Sequence, residues 1–194
     1  VSIAGVVLSQ AANFMAVILI GKFCGPSELG YFSQLNAIGL FAGSVLGLRL
    51  EVACMAADKT LAVRALVSSS CVAMAIALLL AAVAVVSGEQ KYLTVVVLAS
   101  GVFLQQALSS ALASERKYVS IAVQRAFPNV AFAVAFVALM MLARHPWSGP
   151  DIFAVYSFVF FASAAVPLAG YLFTSRSMLS PECLKFSRLQ LDYA

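Results

Sequence analysis

Six long runs of this chain contain no Asp, Glu, Lys or Arg: 1–21, 29–48, 65–88, 92–114, 126–143 and 152–175. They are 18 to 24 residues long. A helix needs about 20 apolar residues to cross a hydrocarbon layer about 30 Å thick. Strands of a membrane barrel would be about 10 residues long and alternate in polarity, which these runs do not. The composition agrees, at 63% hydrophobic and 10% charged. A soluble domain of this size leaves about a third of its unfolded surface in water and has nowhere to hide so much apolar area. The first run lacks a basic leading segment and continues straight into the multi-span pattern, so it reads as a true span and not a cleaved signal.

The expected fold is an all-α membrane protein, a bundle of six transmembrane helices. The spans are expected at about 1–21, 29–48, 65–87, 92–113, 122–143 and 152–173, with 174–194 a tail or linker. Connectors after the first, third and fifth runs are short and turn-like: "GKFCGPSELG", "SGEQK" and "RHPWSGPD". Such connectors imply that consecutive helices are antiparallel neighbours. In the first of them Ser27, after Pro26, is placed to cap the second helix, and in the last Trp147 suits an interfacial anchor.

The basic residues then vote on orientation. Connectors after the second, fourth and sixth runs hold Arg49, Lys59, Arg64, Arg116, Lys117, Arg125, Arg176, Lys185 and Arg188. Those after the first, third and fifth hold Lys22, Lys91 and Arg144. Nine against three puts both termini in the cytoplasm, because basic flanks are retained inside. Arg64, Arg116 and Lys117 are read as cytoplasmic anchors. The same bias accounts for the net charge of +4, so no nucleic-acid partner is implied.

Polar residues within the runs carry most of the functional signal. Ser9, Gln10 and Asn13 fall on one side of the first helix. Ser33, Gln34 and Asn36 lie in the second, Gln105, Gln106, Ser109 and Ser110 in the fourth, and Gln124, Arg125 and Asn129 begin the fifth. Such groups avoid lipid and face other helices or a wet cavity. Interhelical hydrogen bonding and a cavity wall both satisfy that demand. Gly39, Gly43 and Gly47 form a GxxxGxxxG seam, fit for static packing or for a sliding surface. Pro128 and Pro167 stand inside spans, where they kink helices.

Classical chemistry is weakly represented. The four cysteines, Cys24, Cys54, Cys71 and Cys183, show no metal-ligand spacing and read as small hydrophobes. His145 is the only histidine and lies in a turn without a carboxylate pair or HExxH pattern. No metal or other cofactor is implied, although a coupling ion is compatible with a transporter.

Three segments together resemble one family. "LSQAANFMAVILIGKFCGPSELGYFSQLNAI" is similar to its first hairpin, with Ser9 and Gln10 followed by a turn at Gly25, Pro26 and Gly30 and the aromatics Tyr31 and Phe32. "LRLEVACMAAD" resembles its cytoplasmic Arg-aromatic-Glu-x-Ala element through Arg49, Glu51 and Ala53, with Leu50 where an aromatic is usual. "SERKYVSIAVQRAFPNV" resembles its basic inner connector, through Arg116, Lys117, Tyr118 and Arg125. The family is the polysaccharide-biosynthesis flippases (Wzx-like, O-antigen or repeat-unit) of the MOP superfamily, which also includes the MATE exporters.

The resemblance implies one lobe of a protein with two six-helix lobes around a central cavity. The second lobe would come from the rest of the chain or from another chain. It implies a lipid-linked oligosaccharide, carried on undecaprenyl diphosphate, as substrate, and alternating access in the bacterial inner membrane. Membrane lipid is the remaining partner. Arg49 and Arg125 are the candidates for diphosphate contacts, since guanidinium binds phosphate bidentately. Gln10, Asn13 and Asn36 are candidates for sugar contacts. The competing readings are a MATE-like multidrug or ion-coupled exporter and a noncatalytic scaffold of the same pathway. A membrane enzyme is disfavoured, because the connectors are too short to assemble a catalytic face.

Overall fold

A computed structural model describes residues 2–46, 54, 59–142 and 147–175 of the chain. Its elements are six helices: α1 (Ser2–Cys24), α2 (Pro26–Leu46), α3 (Lys59–Val86), α4 (Gln90–Ser114), α5 (Tyr118–Leu142) and α6 (Gly149–Thr174). Five of them, α2 to α6, are long and apolar enough to cross a membrane, and α1 carries a shorter apolar segment over Gln10–Cys24. The protein is an all-helical, multi-pass membrane protein. Most helices overrun the uncharged runs, as α3 does by starting at Lys59. Backbone hydrogen bonding has no reason to stop where the hydrocarbon does.

Two apolar clusters mark the two ends of the bundle. Ile20, Phe32, Val95, Phe136 and Ile152 meet in one cluster, from the end of α1, the start of α2, the start of α4, the end of α5 and the start of α6. Leu46, Ala65, Leu66, Ala111 and Leu168 meet in the other. The helices therefore alternate in direction. Arg64, Arg116 and Lys117 lie toward the second end, and Lys22 and Lys91 toward the first.

Neighbours in sequence are not always the main neighbours in space. α1 packs chiefly along α5, and α4 packs along α6, α2 and α3. The contacts of α1 with α2, and of α4 with α5, are sparser. Consecutive helices do touch, as their short connectors imply, and α3 lies closely along α4, but the most extensive contacts of α1, α2 and α6 are with helices distant in sequence. A short connector fixes where two helix ends meet, but side-chain size decides which helices lie flush. α4 wins the centre, with 78% of its membrane-length core buried, because it offers small residues on several sides. A Cβ on Gly101 would come within 2.9 Å of the Phe161 backbone, so α6 lies directly against it.

The glycine seam of α2 closes on the same helix. A Cβ on Gly39 would meet the Leu98 side chain at 2.6 Å, and one on Gly43 would meet Val102 Cβ at 2.6 Å. Gly39 and Gly43 are both closely packed against α4; Gly47 lies outside the described residues.

The helix starts differ from expectation at one point. α2 begins at Pro26, so Ser27 sits inside the first turn and does not cap it. Proline suits the first helical position, since its missing N–H would have had no partner there. Gly25 before it takes φ +93°, a conformation open to glycine that reverses the chain between α1 and α2. α6 is capped instead by Ser148, whose hydroxyl accepts from Asp151 N while the Asp151 carboxylate accepts from Ser148 N. Glu28 of α2 also accepts from Gly149 N. A carboxylate at a helix N-terminus satisfies an orphan donor and opposes the helix dipole. Glu28→Ala is expected to cost about 1–2 kcal/mol, read as a lower unfolding temperature in detergent. No change would mean the α2–α6 contact carries no stability.

Candidate functional site

A cavity of about 360 Å³ opens among α1, α2, α4, α5 and α6. Most of the residues that line it are polar, in helices that are otherwise largely apolar. α1 contributes Gln10 and Asn13, and α2 contributes Asn36 beside Leu40. α4 contributes Gln105 and Gln106, and α5 contributes Arg125 and Asn129. Tyr156 and Phe160 of α6 complete it. With a rise of about 1.5 Å per residue, Gln10, Asn36, Gln105 and Arg125 stand about 10–15 Å from the helix ends on the Leu46–Ser114 side. The cavity therefore lies between the helices, about two turns in from that end of the bundle.

Four of the five residues expected to contact substrate line this one space: Gln10, Asn13, Asn36 and Arg125. The fifth, Arg49, lies outside the described residues, as do Glu51 and His145. Gln105, Gln106 and Asn129, legible only as polar residues within spans, join them. Tyr156 and Phe160 carried no such signal, because an aromatic in an apolar helix reads as core. Ser33 and Gln34 are exposed on α2 and do not line the cavity.

Chemically the wall is one guanidinium among six carboxamides, with no carboxylate among the described residues that line it. A carboxamide both donates and accepts, which matches hydroxyl groups. Guanidinium matches phosphate or carboxylate. Asn36 Oδ1 is buried without a hydrogen-bond partner, an unsatisfied acceptor on a residue of the cavity wall. Gln10 and Arg125 are exposed, which places polar groups at the mouth of the cavity.

α5 reaches this site through Pro128. Proline has no N–H, so the carbonyl one turn earlier, that of Gln124, loses its intrahelical donor. Gln105 of α4 supplies the replacement, its Nε2 donating to Gln124 O at 2.8 Å. Gln124 answers with Nε2 donating to Gln105 O at 3.3 Å, and Ser109 Oγ donates to Gln124 Oε1 at 3.4 Å. A neighbouring helix that satisfies a freed carbonyl is what lets proline persist in a membrane helix. This clasp directly precedes Arg125.

Toward the Gly149 end the cavity meets a wall of rings. Phe32 stacks on Phe132 with centroids 6.1 Å apart, and Tyr156 packs edge-on to both, at 5.3 and 4.9 Å. Phe153 and Phe136 extend the cluster. Three of the rings lie about one helical turn from a lining residue: Phe32 from Asn36, Phe132 from Asn129 and Phe153 from Tyr156. Tyr156 belongs to both wall and cluster.

At the opposite end Tyr171 OH donates to Glu115 Oε1 at 2.9 Å, and Lys117 Nζ pairs with Glu115 Oε2 at 2.6 Å. These contacts tie the end of α6 to the α4–α5 connector. Arg116 takes φ +57° in that turn and, like Lys117, is exposed. Arg64 is half-buried near the start of α3. None of the three expected anchors lines the cavity.

No family model matches the chain, and neither a curated protein nor a solved structure does.

Proposed function

We propose that this protein is a lobe of a flippase for lipid-linked oligosaccharides in a bacterial inner membrane. The substrate is an undecaprenyl-diphosphate sugar, turned from the cytoplasmic to the outer leaflet by alternating access. Both termini face the cytoplasm, and a second six-helix lobe completes the passage. One observation carries this reading: a half-enclosed cavity among helices of membrane-spanning length, lined by six carboxamides and the guanidinium of Arg125. A diphosphate headgroup cannot cross a hydrocarbon layer unaided, and a hydrated cationic surface replaces its lost water. The carboxamides suit the sugar hydroxyls beside it.

Two further features favour the same reading. α2 and α3 are similarly uncovered, 28% and 22% buried, yet α2 is the least apolar of the five long helices and α3 the most. Lipid contact suits α3. The face of α2 with Ser33 and Gln34 suits water or a second protein unit. The aromatic cluster closes the cavity toward the Gly149 end, so in the proposed orientation this is a state sealed on the outside. A cation exporter, by contrast, needs a carboxylate where this cavity holds a guanidinium.

The test is reconstitution. The full-length gene product in proteoliposomes should transfer a fluorescent undecaprenyl-diphosphate sugar between leaflets, and empty liposomes should not. An absence of transfer refutes the proposal. The orientation has its own check: in intact cells an impermeant amine reagent should leave Lys117 unmodified and reach it only after permeabilisation. Labelling of Lys117 from outside would reverse the topology.

A further inference from the structure

We propose that Gln105 is a positioning residue that couples occupancy of the cavity to the bend of α5. It rests on the cavity being the ligand site of the flippase reading. Two facts meet in one side chain. Gln105 lines the cavity, and its Nε2 is the donor that stands in for the amide missing at Pro128. The group that would meet a ligand is therefore also the group that completes the backbone of α5.

The chemistry sets a competition. A phosphate oxygen accepts a charge-assisted hydrogen bond, roughly twice as strong as one between neutral groups. The Gln105 amide has two N–H donors, one of them on the Gln124 carbonyl; an anion entering beside Arg125 takes the other, and turning the amide toward the anion pulls the first off the carbonyl. That carbonyl then depends on water, and α5 loosens at Pro128, the point between Arg125 and the ring cluster at Phe132. Gln124 follows, because its own side chain is held by Gln105 O and Ser109. Arg125 and Asn129 lie on either side of the loosened turn, so binding at one and movement of the other are linked.

The experiment is amide hydrogen exchange on the full-length protein in nanodiscs, read in peptides covering residues 124–136. Gln105→Glu keeps the shape of the side chain but loses the donor, and without any ligand it should raise exchange there several-fold. Pro128→Ala restores the backbone amide, so in that background Gln105→Glu should change nothing. Wild-type exchange in Gln105→Glu, or an equal effect in both backgrounds, overturns the clasp whatever the protein transports.

Undecaprenyl diphosphate is the probe for coupling, with its binding measured in the same samples. The wild type should gain exchange on binding, and Pro128→Ala should bind without the gain. Binding with no gain in the wild type overturns the coupling alone. No binding of the probe overturns the coupling together with the flippase reading, and leaves the clasp result to stand on its ligand-free comparison.

Discussion

Arg125→Ala should lower leaflet transfer of an undecaprenyl-diphosphate sugar by about 10- to 100-fold, the worth of one charge-assisted hydrogen-bonded contact. Arg125 is the one cation lining the cavity among the described residues, so removing it takes the only positive charge from that part of the wall. Carboxamides replace water at hydroxyls but carry no charge to offset a phosphate. Arg125→Lys should retain part of the activity, because charge persists while the bidentate fork is lost. Arg116→Ala is the control. It removes an equal charge from an exposed turn and should leave transfer within about twofold, as expected for an exposed, screened charge. If Arg116→Ala and Arg125→Ala lose the same activity, the guanidinium acts through general surface charge and the cavity is not the site. Thermal unfolding of each variant in detergent separates lost binding from lost folding.

The parts of this architecture that were legible in the sequence are those set by the membrane itself. Charged residues cannot sit in hydrocarbon cheaply, so they punctuate the helices, and the six helices match the uncharged runs to within a few residues at most ends. Gln10, Asn13, Asn36 and Arg125 stood out for the same reason, since a polar residue inside a span demands a partner or a cavity. What the sequence hid was the pairing. Nothing in the hydropathy of α1 distinguishes α5 from α2 as its neighbour. That choice is made by the fit of side chains across helices more than a hundred residues apart.

The role of Gln105 was hidden similarly. A proline announces a freed carbonyl four residues earlier, but not which helix will reach it. Gln124 was read as one more polar residue of a span; its backbone oxygen, which any residue would have offered, is what Gln105 holds. Ser27 failed as a cap because the usual preference for Ser at a helix start was outweighed by proline at the first position.

Gly43→Ala should be among the most damaging single-methyl additions in the protein, lowering stability by about 3 kcal/mol, at the upper end of overpacking costs. The added Cβ would stand 2.8 Å from Ala99 O as well as 2.6 Å from Val102 Cβ. A carbonyl of α4 and the root of a β-branched side chain cannot rotate away, so the helices must part. Gly39→Ala should cost less, because its obstacle is Leu98, nearest at Cδ2, and the end of a leucine can move. Gly30→Ala meets nothing within 4 Å and should stabilise α2 by up to about 1 kcal/mol through helix propensity. The order of unfolding temperatures, Gly43→Ala below Gly39→Ala below wild type below Gly30→Ala, is therefore set by geometry on one helix. Function should fall with stability in Gly39→Ala and further in Gly43→Ala, and stay at the wild-type level in Gly30→Ala, because α2 carries Asn36 into the cavity and any separation from α4 moves that carboxamide away from Gln105 and Gln106. Were Gly43→Ala to match Gly30→Ala in both stability and transfer, α2 would have to glide over α4 and not lock against it, and the seam would belong to the moving parts of the protein.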